Sequence, residues 1–108
     1  MSNVYLILST IDDQATASRL SRQLVEEGLA ACVNVVSGLI STYRWEDEIR
    51  QEEEYLMILK TSGRSLARTQ ARLVELHPYE VPEVVAIPVA SGHQPYLDWI
   101  ASETTQDS

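Results

Sequence analysis

The hydrophobic pattern of the chain alternates between short apolar runs and segments of helical period. Short runs of apolar β-forming residues lie within positions 3–10, 29–36, 39–45, 49–61 and 83–90, and these segments predict strands. Residues 11–28 and 62–77 instead space their apolar side chains three and four positions apart, which predicts amphipathic helices. Residues 93–102 predict a short third helix with Pro95 near its first turn.

The boundaries of the two long helices carry local signals. The first predicted helix starts at a cap formed by Thr10 or Asp12 and stops at Gly28. Its apolar face consists of Ala17, Leu20, Leu24 and Val25. The second helix ends before Pro78, because the residue before a proline leaves the α region. Leu66, Gln70, Leu73 and Val74 share one of its faces, with Ala67 and Ala71 beside them.

The strand runs also contain informative breaks. Ser37-Gly38 interrupts the second strand and predicts a bend or bulge, after which residues 39–45 continue it to a hairpin tip at residues 46–48. The return strand is continuously apolar over residues 55–59, which indicates burial on both faces. Pro88 lacks an amide proton and predicts an edge position or a strand end for the fourth strand.

The resulting order is β-α-β-β-α-β with an additional C-terminal helix. This order predicts an α+β, ferredoxin-like sandwich. We expect a single domain over residues 1–102 and a polar tail over residues 103–108. The chain has 108 residues and no phenylalanine, so its core is thin, and association with further copies is a natural source of stability.

Charge and cysteine content narrow the classes of function. The net charge of -8 repels phosphate backbones and anionic lipids, so we expect neither nucleic acid nor membrane as a partner. Cys32 is the only cysteine, which is compatible with a reducing cytosol. The N-terminal apolar run is short and lacks a basic flank, so a cytoplasmic location without a signal peptide is expected.

The candidate binding residues each have a structural alternative. Tyr43 and Trp45 lie on an arm that extends past a small core, so they either fill a subunit interface or form the floor of a ligand pocket. Lys60 either extends to water or binds an anion, with an ion pair to Glu54 or Glu80 as the alternative. The six carboxylates within residues 46–54 are interpreted as a solvated tip rather than a cation site.

The stretch His77-Pro78-Tyr79-Glu80 lies at a helix-to-strand corner. Turn geometry alone does not require an imidazole, a phenol and a carboxylate there, so His77, Tyr79 and Glu80 are interpreted as a cleft wall. Cys32 is inert packing unless His77 or a neighbouring subunit completes a soft-metal site with it.

Catalysis has little support in the sequence. No nucleophile is accompanied by a recognisable base and orienting group, and no glycine-rich phosphate loop is present. An acylphosphatase-type site is disfavoured by the acidic loop after the first strand, and an RNA-recognition domain by the negative charge. The sequence therefore favours a protein that is not an enzyme.

Five stretches carry a family resemblance in the expected order: GLAACVNV, YRWEDEI, EEEYLMILKT, HPYEVPEVVAIPV and YLDWI. Together they resemble the CutA family of divalent-cation tolerance proteins. The resemblance implies a ferredoxin-like homotrimer that is similar in architecture to the PII signalling proteins. It also implies a role in tolerance of copper and other divalent metals, without an obligatory cofactor.

Two functions follow as expectations. The first is a trimeric, non-enzymatic CutA-type protein. Cu(II) or another divalent metal would bind it at His77, together with Cys32 or Glu80 of a neighbouring chain, and His93 is the competing site. The second is a PII-like carrier or sensor that holds a small anionic metabolite in a cleft between subunits. The expected cleft residues are Tyr43, Trp45, Lys60, His77, Tyr79 and Glu80.

Overall fold

The computed structural model describes residues 3–104. Its elements are β1 (Val4–Ile11), α1 (Gln14–Glu26), β2 (Cys32–Trp45), β3 (Glu48–Ser62), α2 (Leu66–Leu76), β4 (Val85–Pro88) and α3 (Gln94–Glu103). The strands form one antiparallel sheet in the order β2-β3-β1-β4. This confirms the predicted α+β, ferredoxin-like arrangement with an additional C-terminal helix.

The hydrophobic core lies between one face of the sheet and the helices α1 and α2. Side chains alternate across a strand, so Ile7 and Ile11 of β1 point to the same side as their neighbours Met57 and Leu59 of β3. All four are fully buried. The helices complete the core with Ala17, Leu20, Leu24 and Leu73.

The opposite face of the sheet is also apolar, and we call it the open face. Register places Leu8 opposite both Ile58 and Val85, and directly paired residues point the same way. Its apolar members are Leu6, Leu8, Val36, Leu56, Ile58, Val85 and Ile87. Burial on both faces of residues 55–59 is therefore incomplete in one chain: Met57 and Leu59 are buried, whereas Leu56 and Ile58 are half-buried.

The helices differ from the sequence prediction in two details. Asp13, not Thr10 or Asp12, caps α1, because β1 continues through Ile11; its carboxylate accepts the backbone N–H of Thr16 at 2.9 Å. Gly28 ends the helix at φ 73°, as predicted.

The buried faces of both helices are also narrower than predicted. Val25 of α1 is exposed, and so is Val74 of α2. Thr69 takes the buried place in α2, because its hydroxyl lies 2.8 Å from the carbonyl oxygens of Leu29 and Ser65 and is therefore hydrogen-bonded inside the core.

Strands β2 and β3 extend beyond the rest of the sheet as a two-stranded arm, residues 39–54. The arm gives the molecule its length, with principal extents of 44 × 27 × 21 Å. The predicted break is present: the ladder shifts register between Val36 and Leu39, and Gly38 has φ 86°. The tip is a two-residue turn in which Glu46 and Asp47 both have positive φ, at 52° and 67°.

The C-terminal part of the chain packs on the end of the sheet. Pro88 ends the edge strand β4, as predicted. Thr104 is buried and donates a hydrogen bond to the Ser62 hydroxyl at 2.8 Å, so Glu103 and Thr104 belong with the domain; residues 105–108 of the predicted tail lie outside the described residues. Within residues 3–104, no helix is long and apolar enough to cross a bilayer.

A bidentate ion pair joins α2 to the C-terminal cap of α1 at the protein surface. Arg72 donates from Nε and Nη2 to the two carboxylate oxygens of Glu27, both at 2.9 Å. These hydrogen bonds, followed by one from Gln23, lower the pKa of the Glu27 carboxyl from 4.5 to about 2.

We expect Glu27→Gln to lower the melting temperature at neutral pH. The folded-state pKa lies below the unfolded value, so this stabilisation is complete above about pH 4.5 and is lost as the pH falls toward about 2. The difference from wild type should therefore shrink on acidification, as measured by circular dichroism at fixed protein concentration. Glu26→Gln is the control, because the pair that Glu26 forms with Arg22 is exposed and should contribute little. Equal stability of Glu27→Gln and wild type at pH 7 would contradict the prediction.

Candidate functional site

A cleft of about 560 Å³ lies where the arm meets the end of β1 and the segment before β4. Its volume is within the range typical of small-molecule sites. The lining consists of Thr10, Asp12, Ser41, Thr42, Tyr43, Trp45, Arg50, Glu52, Glu54, Tyr79, Glu80, Val81 and Glu83.

Strand register explains why the arm presents these side chains together. Tyr43 lies opposite Arg50, and Ser41 lies opposite Glu52. Alternation along β3 puts positions 50, 52 and 54 on the same side as Leu56, which belongs to the open face. The cleft is therefore continuous with the apolar open face, and a subunit that covered that face would also border the cleft.

Glu54 is the most deeply placed carboxylate of the cleft. It is only 6% exposed, and the Tyr79 hydroxyl donates to its Oε2 at 2.6 Å. Burial, and next the hydrogen bond to Glu54, raise the pKa of Tyr79 well above its usual value, so the phenol keeps its proton and remains a donor. Among residues 3–104, Glu54 forms no ion pair, so its charge has a hydrogen bond but no cationic partner.

Tyr43 and Glu52 repeat this arrangement nearer to solvent. The Tyr43 hydroxyl donates to Glu52 Oε1 at 2.7 Å, and this hydrogen bond is the main cause that raises the pKa of Tyr43. Both side chains belong to exposed residues. The two tyrosines thus hold two carboxylates in fixed positions at different depths.

The electrostatic character of the cleft is strongly negative. Its lining contains one guanidinium, that of Arg50, which lies 3.8 Å from Glu48 outside the cleft. The same lining contains five carboxylates, which are those of Asp12, Glu52, Glu54, Glu80 and Glu83. Such a concave surface attracts cations and repels anions.

Four of the residues predicted for the cleft meet there: Tyr43, Trp45, Tyr79 and Glu80. His77 lies behind them, with its ring 4.6 Å from that of Tyr79 in an edge-on contact. Its Nδ1 accepts the backbone N–H of Tyr79 at 3.1 Å, and its Nε2 lies 2.9 Å from the Thr10 carbonyl oxygen. This geometry fits the tautomer with the proton on Nε2, so His77 positions Tyr79.

Lys60 lies away from the cleft. It is six residues beyond Glu54 along β3, which corresponds to about 20 Å. Its amine donates to the Tyr96 hydroxyl at 3.2 Å and lies 5.6 Å from the centre of that ring. The alternative ion pair with Glu54 or Glu80 is therefore not formed within the chain.

The proposed metal ligands His77 and Cys32 also lie apart. Cys32 is opposite Lys60, which pairs with Leu6 of β1, whereas His77 contacts Thr10. The four residue steps from Leu6 to Thr10 correspond to about 13 Å along the strand. Within residues 3–104, no group of three or more His, Cys, Asp or Glu side chains is placed to hold a metal ion. The donors in this part of one subunit thus do not fit a metal centre.

Sequence reasoning missed several cleft residues. The carboxylates of residues 46–54 were interpreted together as a solvated tip, which fits the exposed Glu46, Asp47, Glu48 and Glu53. Glu52 and Glu54 differ, because each accepts a hydrogen bond from a tyrosine hydroxyl of the cleft. The period of two from position 50 to position 58 is the signal that could have separated them. Asp12 and Glu83 carry no such signal, since they reach the cleft only through the tertiary fold.

Comparison with known proteins identifies the family. The family model of the CutA1 divalent ion tolerance protein matches residues 5–103. The chain belongs to the CutA1 family. It is 43% identical over 99 residues to the divalent-cation tolerance protein CutA of Thermus thermophilus, an alignment that covers 92% of this chain and 96% of that protein. It spans about half of some longer curated relatives, such as 54% of the chloroplastic CutA protein of Arabidopsis thaliana.

Solved structures agree with this assignment. The CutA crystal structure from Xylella fastidiosa matches with a TM-score of 0.93 at 43% identity, covering 96% of this chain and 100% of that one. A protein described as the PII-like protein CutA from Nostoc sp. PCC 7120, in apo form, matches with a TM-score of 0.89 at 34% identity. That alignment covers 95% of this CutA1 chain and 99% of the Nostoc chain.

We expect Tyr79→Phe to destabilise the protein by about 1–3 kcal/mol, because it removes a hydrogen-bond donor from a buried carboxylate. Tyr43→Phe is the matched control. It removes the same type of bond from an exposed pair, and should cost less than about 1 kcal/mol. Denaturant unfolding at a fixed protein concentration measures both. Equal effects of the two substitutions would show that Glu54 does not depend on Tyr79.

Proposed function

We propose that the protein is a non-enzymatic, homotrimeric CutA1 subunit that acts in tolerance of divalent cations, including copper, in the cytoplasm. The observation that carries this proposal is the continuity between the acidic, aromatic cleft and the apolar open face. A subunit that binds a ligand at its own boundary can couple ligand binding to assembly.

The open face supports the trimeric part of the proposal. Its exposed valines and isoleucine form a patch of the kind that marks protein–protein contacts. The arm extends this surface beyond the core and carries Tyr43 and Trp45 at its far end. A homotrimer is the assembly that the family resemblance implies, and it would cover the open face of each subunit.

The metal-related part of the proposal does not require a metal centre within one subunit. His77 has both ring nitrogens engaged with the backbone, and Cys32 is remote from it. Joint ligation by His77 and Cys32 would need two subunits, and this stays a prediction. Tolerance is then best explained by a response of the assembly to a ligand, rather than by storage of copper in a built site.

A PII-like carrier or sensor is the second candidate, because the Nostoc relative is described as PII-like. The cleft is a suitable place for its ligand. However, the excess of carboxylates disfavours the anionic metabolite expected from the sequence, and Lys60 is too distant to offset it. The sensor hypothesis therefore requires a ligand of different charge.

We expect Val85→Glu to dissociate the trimer and to abolish copper tolerance, because it places a charge on the open face. Val74→Glu on α2 is the matched control: Val85 and Val74 are 48% and 50% exposed, but only Val85 lies on the open face. Sedimentation gives the oligomeric state, and growth in copper of a host lacking its own CutA gives tolerance. A trimeric, functional Val85→Glu variant would exclude the open face as the interface.

We expect Cu(II) to bind weakly and to depend more on His93 than on His77. His93 is exposed, whereas each ring nitrogen of His77 has a backbone hydrogen-bond partner, and the one at the coordinating nitrogen must be given up first. Calorimetric titration of Cu(II) into the His77→Ala and His93→Ala variants compares the two. A larger loss of affinity in His77→Ala, with the fold intact by circular dichroism, would contradict this order and support His77 as the copper ligand.

A further inference from the structure

We infer that the cleft binds a small organic cation of the ammonium class, held by aromatic rings and carboxylates together. This inference rests on the proposed function, since it names the ligand class of the same cleft. It differs from both earlier expectations, a bare metal ion and an anionic metabolite.

The first observation is a buried negative charge without a cationic partner. Glu54 is 6% exposed, lines the cleft and accepts a hydrogen bond from Tyr79 only through Oε2. Removing a carboxylate from water is costly unless a cation or several hydrogen bonds compensate it. Within residues 3–104 no cation contacts Glu54, so a cation held in the cleft would compensate its charge.

The second observation is the aromatic wall beside this charge. Tyr43, Trp45 and Tyr79 all contribute to the lining. The face of an aromatic ring attracts a cation through its quadrupole, and desolvated ammonium groups gain most from it. A hydrated metal ion gains much less from such surfaces, because it keeps its water shell or demands several oxygen ligands.

The hydrogen bonds of the carboxylates point to the same ligand class. Tyr79 and Tyr43 already donate to one oxygen each of Glu54 and Glu52, which leaves fewer oxygens for a coordination shell. Described residues include no group of three or more ligating side chains that could hold a metal. An ammonium group needs no fixed coordination geometry and can be held by the summed field of the five carboxylates.

Choline is the probe for this inference, because it is a quaternary ammonium ion that aromatic cages bind. Its neutral isostere 3,3-dimethylbutan-1-ol has the same shape without the charge. Calorimetric titration of the full chain, at constant ionic strength, should give a dissociation constant for choline below about 1 mM. The neutral isostere should bind at least roughly tenfold more weakly.

Two substitutions locate the binding. Trp45→Leu removes a ring face, and Glu52→Gln removes an exposed charge with little risk to the fold; each should weaken choline binding by roughly tenfold. Their matched controls are Trp99→Leu on α3 and Glu26→Gln on α1, which lie outside the cleft and should leave affinity unchanged.

Three results would overturn the inference. One is equal binding of choline and its neutral isostere, and another is the absence of choline binding to an intact trimer. The third is that Glu54→Gln dissociates the trimer and that choline does not change this dissociation. This result would show that a neighbouring subunit supplies the cation that pairs with Glu54. Sedimentation of the same samples separates these outcomes from failure of the proposed function, since a monomeric wild type would contradict the trimer and not the ligand class.

Discussion

Alternation of side chains along β3 is the constraint on which the rest of the structure depends. Odd positions such as Met57 and Leu59 enter the core beneath α1 and α2. Even positions form the other surface, with polar residues on the arm, apolar residues over the middle of the sheet, and Lys60 near the end. A slip of one residue would exchange these two sets, so core burial also fixes the position of the cleft carboxylates.

This constraint explains how much of the fold could be predicted. Element order, the bulge near Gly38, the stop at Gly28 and the edge position of Pro88 depend on local chemistry, and the sequence contains that chemistry. The buried face of α2, in contrast, does not depend on local chemistry alone. Thr69 is buried because the Leu29 carbonyl happens to lie within hydrogen-bond distance, and that contact spans 40 residues.

The candidate site also contains some residues that could be predicted from local sequence and others that could not. Tyr43, Trp45, Tyr79 and Glu80 were predicted, because large aromatics and a polar corner have few purely local explanations. The role of Glu54 could not be inferred from composition, since it is one of six similar carboxylates on the hairpin. Its burial follows from its place at the junction of arm and sheet, where the segment containing Tyr79 covers it. Lys60 was expected in the cleft, but it lies near the other end of β3, beside Tyr96.

The turn at the tip of the arm has a consequence for protein engineering. Glu46 and Asp47 both adopt left-handed backbone conformations, which cost non-glycine residues of the order of 1 kcal/mol each. The flanking ladder from Leu39 to Glu54 therefore imposes the shape of the tip, and the tip sequence contributes little to it. The tip is accordingly a suitable point for grafting a foreign peptide or attaching a label, because residues elsewhere in the chain determine the fold.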